Sequence, residues 1–411
     1  MANIKAFKAI RPSQDKAALV ASRSYQAYTK KERKGILSLN PFSFLHIIHP
    51  GYKLNKKLSG NKRFKLVHER YMEFLRDNIL MKDAQDSLYI YQIEKEDFTC
   101  CGIFCGTSVE DYKNDVIKKH EATMQPREEL FANYLETVGF NAEAVLITYP
   151  DNELISEIVC NKKMEVPNSF FTTTDKIKHK VWKISDKNTI SLIQKEFKKM
   201  NSIYIADGHH RSASSHLFAS NSKEKNPNHS GNEPYNFFMS YLIPESEIKI
   251  YEFNRLVKDL NGLSKKEFLS KLDVYYEVEN LGFPLYKPKR KHQFTMYLDG
   301  EFYCLNLKNK VYNFTDALSK LDTQILFKTV LDPILAIKDL RNDKRIKYGY
   351  GKNNIKKMKN EIDCGKFKIG FSMVPVTINE IKAVADAGLV MPPKSTYIEP
   401  KLRSGLLIYE L

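Results

Sequence analysis

The chain has 411 residues, 42% of them hydrophobic, and a formal net charge of +16 at pH 7 with its ten histidines neutral. One hydrophobic core seldom grows beyond about 250–300 residues, so this length favours two lobes. The positive charge would suit a polyanion, but the basic residues are mostly lysines spread along the whole chain. A nucleic acid is therefore not expected as a partner.

No apolar run is long enough to span a membrane, and the segment Met1–Ala6 lacks the apolar stretch of a signal peptide. Six cysteines in so long a chain are too few for a disulfide framework, and none form a C-x-x-C pair. We therefore expect a cytoplasmic protein without a membrane partner. The sequence leaves the oligomeric state open.

The first half of the chain alternates between predicted helices and strands, which indicates an α/β lobe. In chain order, the elements are a helix at 64–78, a hairpin of strands at 88–94 and 99–106, a helix at 127–138, a strand at 144–149, a helix at 190–200 and a strand at 202–206.

A polar stretch at 220–233, rich in Asn, Ser and Lys, predicts a boundary or a mobile loop that could act as a lid. The elements beyond it are a hairpin of 236–243 and 248–253, a helix opened by Ser264-x-x-Glu267, a hairpin of 293–298 and 302–307 joined by Asp299-Gly300, a helix at 316–330 and a helix capped by Thr377-x-x-Glu380. We predict a fold of α/β to α+β class, with mixed sheets and helices in an N-terminal α/β lobe at 1–225 and a C-terminal α+β lobe at 234–411.

The densest group of reactive side chains follows the strand at 202–206, in the sequence Asp207-Gly208-His209-His210-Arg211. Asp-Gly is a common turn pair, and a helix-compatible segment comes next, so a capping aspartate and surface histidines would be the ordinary explanation. A strand-to-helix turn also directs backbone N–H groups and the positive end of the helix dipole at one point. An acid, two imidazoles and a guanidinium on that turn predict an anion or phosphate site.

Two shorter motifs carry further candidates. His120-Glu121, close to Thr123, places a carboxylate beside an imidazole, which suits a general base or a metal ligand, although surface pairs of this kind are common. Arg255, in the pair Asn254-Arg255, follows a predicted strand. Its guanidinium could clamp a carboxylate or a phosphate, and a surface ion pair is the alternative.

A third motif lies near the C-terminus, where two prolines stiffen the chain before a lysine and two hydroxyls. Its sequence is Met391-Pro392-Pro393-Lys394-Ser395-Thr396. The Lys-Ser-Thr end is similar to the end of a P-loop, but no G-x-x-x-x-G precedes it, so a Walker site is not supported.

Together these motifs resemble those of domain of unknown function family 1015, whose name assigns no activity. Leu331-Asp332-Pro333-Ile334-Leu335 adds to the resemblance, which extends from Phe7 and Arg11-Pro12 to Ser404-Gly405. Gly208-His209-His210-Arg211 is also distantly similar to the Gly-x-His-Arg phosphate loop of the ParB and sulfiredoxin-like fold, which includes free-serine kinases. His209 replaces the catalytic cysteine of sulfiredoxin, which argues against sulfinic acid reduction.

The distant resemblance implies a ParB/sulfiredoxin-like phosphate-loop core and a kinase that uses ATP or ADP with Mg²⁺. The acceptor would be the hydroxyl of a small amino acid, most plausibly free L-serine, giving O-phospho-L-serine. Asp207 would hold the metal, and Glu121 or Asp207 would accept the proton. The remaining expected residues are His209 and His210 in catalysis, Gly208, His210, Arg211, Ser212, Lys394, Ser395 and Thr396 in nucleotide binding, and His120, Thr123 and Arg255 in substrate binding.

Two other classes stay open. A nucleotide-binding or DNA-binding regulator of ParB type would bind without turnover and depend steeply on salt, but no helix-turn-helix signal is present. A metal-dependent hydrolase would use His209, His210, Asp207 and the His120-Glu121 pair as ligands and would lose activity to a chelator. Adjacent histidines on one turn rarely reach the same ion, so this class ranks third.

Overall fold

A computed structural model describes residues 1–52, 59–308, 310–351 and 353–411 of the chain. The chain divides into two compact units. Unit 1 comprises Met1–Lys119, Thr123–Ile248 and Pro400–Leu411, and unit 2 comprises His120–Ala122 and Lys249–Glu399.

The helices, numbered in chain order, are α1 Ala17–Val20, α2 Lys30–Leu39, α3 Leu45–Ile48, α4 Gly60–Arg76, α5 Val109–Lys113, α6 Gln125–Val138, α7 Glu153–Lys163, α8 Lys187–Lys199, α9 His209–Lys225, α10 Lys265–Leu272, α11 Asp322–Leu326, α12 Asn354–Asp363 and α13 Ile378–Asp386. Across the described ranges, none of the helices combines the length and the apolar character needed to cross a membrane.

The strands, numbered in the same way, are β1 Ile4–Lys5, β2 Ile10–Pro12, β3 Leu80–Lys82, β4 Leu88–Lys95, β5 Phe98–Ser108, β6 Ile117–Lys118, β7 Phe140–Asn141, β8 Val145–Tyr149, β9 Ser169–Thr172, β10 Lys178–Ile184, β11 Ile203–Asp207, β12 Phe237–Pro244, β13 Lys249–Tyr251, β14 Asn254–Val257, β15 Tyr276–Gly282, β16 Gln293–Leu298, β17 Glu301–Leu307, β18 Ile346–Gly349, β19 Ile369–Ser372, β20 Tyr397–Glu399 and β21 Tyr409–Glu410.

Unit 1 is built on a mixed sheet of order β6-β11-β8-β12-β5-β4-β10-β9, with β1 also paired to β5. The β6–β11 and β8–β12 pairs are parallel, and the other pairs are antiparallel. β8 is an apolar run that is buried along its whole length, as expected of a strand covered on both faces. The core includes Ile103, Ile147, Ile205 and Leu242, so β11 is anchored in the most buried part of the unit.

Unit 2 contains an antiparallel sheet of order β15-β17-β16-β19-β14-β18. α12 packs on one face of this sheet, where Leu256 joins Ile355 and Met358 in one apolar cluster. Val257 and Phe371 belong to a larger cluster with α11 residues. A separate pair of strands, β13 and β20, completes the sheets of the unit.

The predicted class, mixed sheets with helices, is confirmed. The hairpin of β4 and β5 is present, and so is the hairpin of β16 and β17 with Asp299-Gly300 as its turn. The capping boxes opened by Ser264 and Thr377 both form. These features depend on neighbouring residues alone, which is why the sequence predicts them well.

The predicted pairing of 236–243 with 248–253 is wrong. β12 pairs with β5 on one side and with β8 on the other, so it has no free edge, and β13 pairs with β20 instead. At the other end of the chain, β21 pairs with β7 and Ile408 bridges to Ile10, both in unit 1. The predicted lobes, 1–225 and 234–411, therefore differ from the two units.

The predicted low-order stretch at 220–233 begins inside a helix, because α9 continues to Lys225. Serine and asparagine are poor helix formers, which is why composition predicts a loop there. α9 packs against α6, and Lys225 Nζ lies 2.6 Å from Glu136 Oε1 on that helix. Packing against a neighbouring helix outweighs local propensity at this position.

The predicted helix at 316–330 is shorter than expected. α11 covers only Asp322–Leu326, and a π-helical turn continues it over Phe327–Leu331. Before α11, Asp316 and Ser319 hydrogen-bond to each other's backbone N–H groups, which closes a separate turn. Local hydrogen bonds of this kind compete with helix formation.

Candidate functional site

The loop between β11 and α9 forms the predicted strand-to-helix turn. β11 ends at Asp207, Gly208 adopts φ +105°, and α9 begins at His209. The backbone N–H groups of Arg211 and Ser212 both donate to Gly208 O, at 2.8 and 3.0 Å. A Cβ atom on Gly208 would lie 2.8 Å from Arg211 Nε, so only glycine lets the arginine fold back over the turn.

Arg211 belongs to a cluster of four charged groups in unit 1. Its guanidinium lies 3.6 Å from Asp207 Oδ2 and 3.4 Å from Glu143 Oε2. Lys401 Nζ lies 3.0 Å from Asp207 Oδ2, and Ser404 Oγ donates to Glu143 Oε1 at 2.8 Å. Two cations and two carboxylates therefore share one partly exposed surface.

Sequence reasoning missed Glu143 and Ser404 as members of this cluster, and it gave Lys401 no role there. Glu143 precedes β8, the antiparallel neighbour of β11, so its position depends on strand pairing. Lys401 and Ser404 belong to the C-terminal segment of unit 1, Pro400–Leu411, which follows unit 2 in the chain. Two sequence signals pointed to this segment, the pair Pro400-Lys401 after the Met-Pro-Pro-Lys motif and the resemblance over Ser404-Gly405.

The electrostatics of the turn favour an ionised carboxylate and a neutral imidazole. Desolvation raises the pKa of Asp207, but Lys401 and Arg211 outweigh it and leave the pKa below its ordinary value. His209 is buried, and burial lowers its pKa to about 3. At neutral pH the turn therefore carries a negative Asp207 beside an uncharged His209.

Ser212 does not offer the phosphate donor that the sequence predicts. Its side chain is fully buried, and its hydroxyl donates to His209 O at 3.0 Å. Its backbone N–H is already bonded within the helix. The sequence predicts a helix from Arg211, but α9 begins two residues earlier, so Gly208, His209 and His210 lie at its N-terminus instead.

Gly208→Ala is expected to destabilise unit 1 and to displace Arg211. The positive φ alone costs a residue with a side chain about 1–2 kcal/mol, and the new Cβ would also overlap the guanidinium. Gly139→Ala is the matched control, because Gly139 has φ +79° but nothing within 4 Å of its Cβ position. Urea unfolding of both variants checks this. Equal losses of unfolding free energy would contradict the close approach at Gly208.

His209→Gln is expected to reduce the acid sensitivity of the fold. The pKa of histidine is about 6.5 in the unfolded chain and about 3 here, so below pH 6.5 the unfolded state binds more protons. The unfolding free energy then falls by about 1.4 kcal/mol per pH unit for this group as the pH drops from 6.5 towards 3. Urea titrations from pH 7 to pH 5 should show a shallower decline in the variant. An unchanged slope would contradict a neutral His209.

In unit 2, the structure brings three predicted motifs together. The Met391 N–H donates to His120 O at 2.9 Å, and Arg255 donates from Nη2 to Lys394 O at 3.2 Å. The His-Glu motif and Arg255 thus both hold the backbone of the Met-Pro-Pro-Lys segment. His120 is buried in this arrangement, whereas Glu121 is exposed.

Two of these side chains are engaged within unit 2 and are not presented to a ligand. Arg255 is 1% exposed and also donates to Phe253 O, so the predicted substrate clamp is instead a brace for the loop. Ser395 is buried, donates to Pro392 O at 2.7 Å and contacts Thr323 Oγ1 at 3.1 Å. Both depart from the predicted binding roles because their partners are backbone or neighbouring groups of the same unit.

Three other predicted residues remain accessible. Lys394 is exposed, adopts φ +58°, and holds its Nζ 5.6 Å from the ring centroid of Phe253. Thr396 is half-buried beside it. Thr123 belongs to unit 1 and lies half-buried just before α6.

The family model described as "Protein of unknown function (DUF1015)" matches residues 4–324. Among curated proteins, no sequence matches the chain. Similar solved structures include a mutant free serine kinase in complex with ADP, 15% identical, covering 73% of this chain and 88% of that chain with a TM-score of 0.37. A conserved hypothetical protein from Pyrococcus furiosus is 14% identical, covering 73% of this chain and 91% of that chain with a TM-score of 0.33. C-terminally truncated SbnI from Staphylococcus aureus is 14% identical, covering 72% of this chain and 82% of that chain with a TM-score of 0.37. These values describe distant likeness only.

Proposed function

This chain belongs to the family described as "Protein of unknown function (DUF1015)", and we propose that it is a nucleotide-dependent phosphotransferase. The loop from Asp207 to Arg211 would bind the phosphates of ATP or ADP. The acceptor would be the hydroxyl of a small amino acid, with free L-serine as the first candidate.

The geometry of the β11–α9 turn carries this proposal. Gly208 in the left-handed conformation lets Arg211 lie over the start of a 17-residue helix, where backbone N–H groups and the helix dipole favour an anion. Lys401 adds a second cation at the same point. Phosphate oxygens would replace the carboxylate of Glu143, held at 3.4 Å, as the partner of Arg211.

In the proposed reaction, the hydroxyl oxygen of the amino acid forms a bond to the terminal phosphorus. The bond from that phosphorus to the bridging oxygen breaks, and its electron pair stays on the leaving nucleotide, which is ADP from ATP or AMP from ADP. Arg211 and the helix N-terminus would stabilise the charge that builds on the transferring oxygens. The hydroxyl proton would pass to Asp207, whose lowered pKa keeps it ionised, or to Glu121, the alternative base.

An ionised carboxylate is a suitable ligand for Mg²⁺, so Asp207 fits the role of metal ligand. Bound with the nucleotide, the ion would neutralise charge on the phosphates. His210 would add a donor at the helix start. Lys394 and Thr396 remain the proposed contacts for a nucleotide tail or a substrate carboxylate, and His120 and Thr123 the proposed substrate contacts.

Phosphorus NMR tests the proposal directly. The purified protein is incubated with Mg²⁺, ATP or ADP and a pool of free amino acids, beside a sample of Arg211→Ala. We expect a new phosphomonoester signal that grows with L-serine and is absent from the variant sample. Nucleotide signals that shift or broaden without any product would contradict the kinase and favour a nucleotide-binding regulator.

A further inference from the structure

Unit 1 contains a small, largely enclosed cavity. Among the residues that line it are Arg11, Ser169, Lys183, Leu406 and Leu407. The cavity leaves about 10 Å³ for the centre of a water-sized particle. That is room for one water molecule or one small ion, and too little for a nucleotide or an amino acid. Any ligand of this cavity is therefore a single small particle.

Strand pairing brings side chains of three strands to the cavity. Lys183 pairs with Tyr89 across β10 and β4. Val181 pairs with Ser169 across β10 and β9. Alternate residues of a strand share a face, so Val181 and Lys183 point to the same side of the sheet. Trp182, between them, belongs to the main apolar core, so the cavity lies on the opposite face of the sheet.

The charged side chains at the cavity do not balance one another. Arg11 Nε donates to Asp83 Oδ1 at 3.1 Å, and Lys183 Nζ lies 3.6 Å from Asp83 Oδ2. Two cations and one carboxylate leave a formal charge of +1. Both cations are among the described residues that line the cavity, whereas Asp83 is not. The lining therefore favours a particle with a single negative charge.

Ser169 adds an unused hydrogen-bond donor to this lining. The residue is only 6% exposed, and its hydroxyl has no hydrogen-bond partner among the residues that the structure describes. Buried polar groups are nearly always hydrogen-bonded in folded proteins. Because Ser169 lines the cavity, an acceptor inside it would supply the missing partner.

We propose that this cavity binds one small monovalent anion of about the size of chloride. The anion accepts a hydrogen bond from Ser169 Oγ and lies beside the guanidinium of Arg11 and the ammonium of Lys183. Leu406 and Leu407 border the same space, and apolar surroundings strengthen the attraction between the ion and the two cations. A water molecule would satisfy the serine but would leave the formal charge of +1 uncompensated, which favours the anion.

Thermal unfolding of the full-length protein tests the site. Sodium chloride replaces sodium gluconate at constant ionic strength, so that screening of surface charges stays equal while gluconate is too large for the cavity. An anion that binds only the folded chain raises its stability, so the unfolding temperature of the wild type should rise with chloride concentration. Ser169→Ala and Lys183→Gln should each raise the dissociation constant for chloride, obtained from that rise, about tenfold or more.

Lys180→Gln is the matched control. Lys180 also lies on β10, is 29% exposed against 19% for Lys183, and contacts a carboxylate, that of Glu94. It is not among the described residues that line the cavity. This variant should keep the wild-type response to chloride. Each variant is compared with itself in gluconate, so a lower starting stability does not affect the result.

Three results would overturn the site. Equal unfolding temperatures of the wild type in chloride and in gluconate would leave an ordered water as the partner of Ser169. A response to chloride that Ser169→Ala retains in full would place the ion elsewhere. A response that Lys180→Gln loses as fully as Lys183→Gln would show a general effect of charge. Because the readout is unfolding, none of these results depends on whether the chain transfers phosphate.

Discussion

Arg211→Ala is expected to lower kcat/KM for phosphoryl transfer by about 10²–10³. The guanidinium lies over the helix start and would stabilise charge on the transferring oxygens, and no other side chain of the turn can replace a bidentate cation. Steady-state kinetics with varied nucleotide and fixed L-serine measures the loss. Arg211→Lys should recover only part of it, because an ammonium is a point charge without the planar fork.

Arg345→Ala is the matched control for this prediction. Arg345 is 29% exposed against 33% for Arg211, and it also contacts two carboxylates, those of Asp343 and Asp259. Removing it should leave kcat/KM unchanged. A similar loss in both variants would mean that the effect of Arg211 comes from overall charge or stability, which would contradict its role at the phosphates.

Asp207→Asn is expected to lower kcat by about 10² or more while nucleotide affinity is retained. The substitution keeps the shape of the side chain but removes the base and the metal ligand. It also removes a negative charge beside Arg211 and Lys401, so the phosphates should bind at least as well as before. Rates at saturating substrate, measured beside nucleotide affinity, separate the two effects.

Asp175→Asn serves as the control for the aspartate. Asp175 is 43% exposed, like Asp207 at 42%, and is paired with Arg403 in unit 1. The substitution Asp175→Asn should leave kcat unchanged. If Asp207→Asn instead retained full kcat, Asp207 would only hold the turn together, and Glu121 would be the remaining candidate for the base.

The chemistry of the β11–α9 loop could be read from the sequence because its side chains are neighbours in the chain. Strand, glycine turn and helix follow one another within a few residues, so local rules were enough to place Asp207, Gly208 and Arg211 at one turn. The same rules predicted the helix start too late. They therefore assigned Ser212 a role as phosphate donor, although its backbone N–H already donates to Gly208 O in the first turn of α9.

The partners of that loop could not be predicted, because they depend on strand order. Glu143 lies near Arg211 because β8 pairs with β11. Lys401, which contacts Asp207, lies 194 residues after it in the chain. Composition alone did not show that β12 lies between β5 and β8. The sequence motifs also did not show that Arg255 and Ser395 are buried, and burial is the reason that neither side chain is presented to a ligand.

The central claim is that the β11–α9 turn binds nucleotide phosphates, and calorimetric titration with ADP and Mg²⁺ tests it most directly. We expect one binding event per chain for the wild type and for Arg345→Ala, and a loss of affinity for Arg211→Ala. Equal affinity in Arg211→Ala, or no binding by the wild type, would contradict the account.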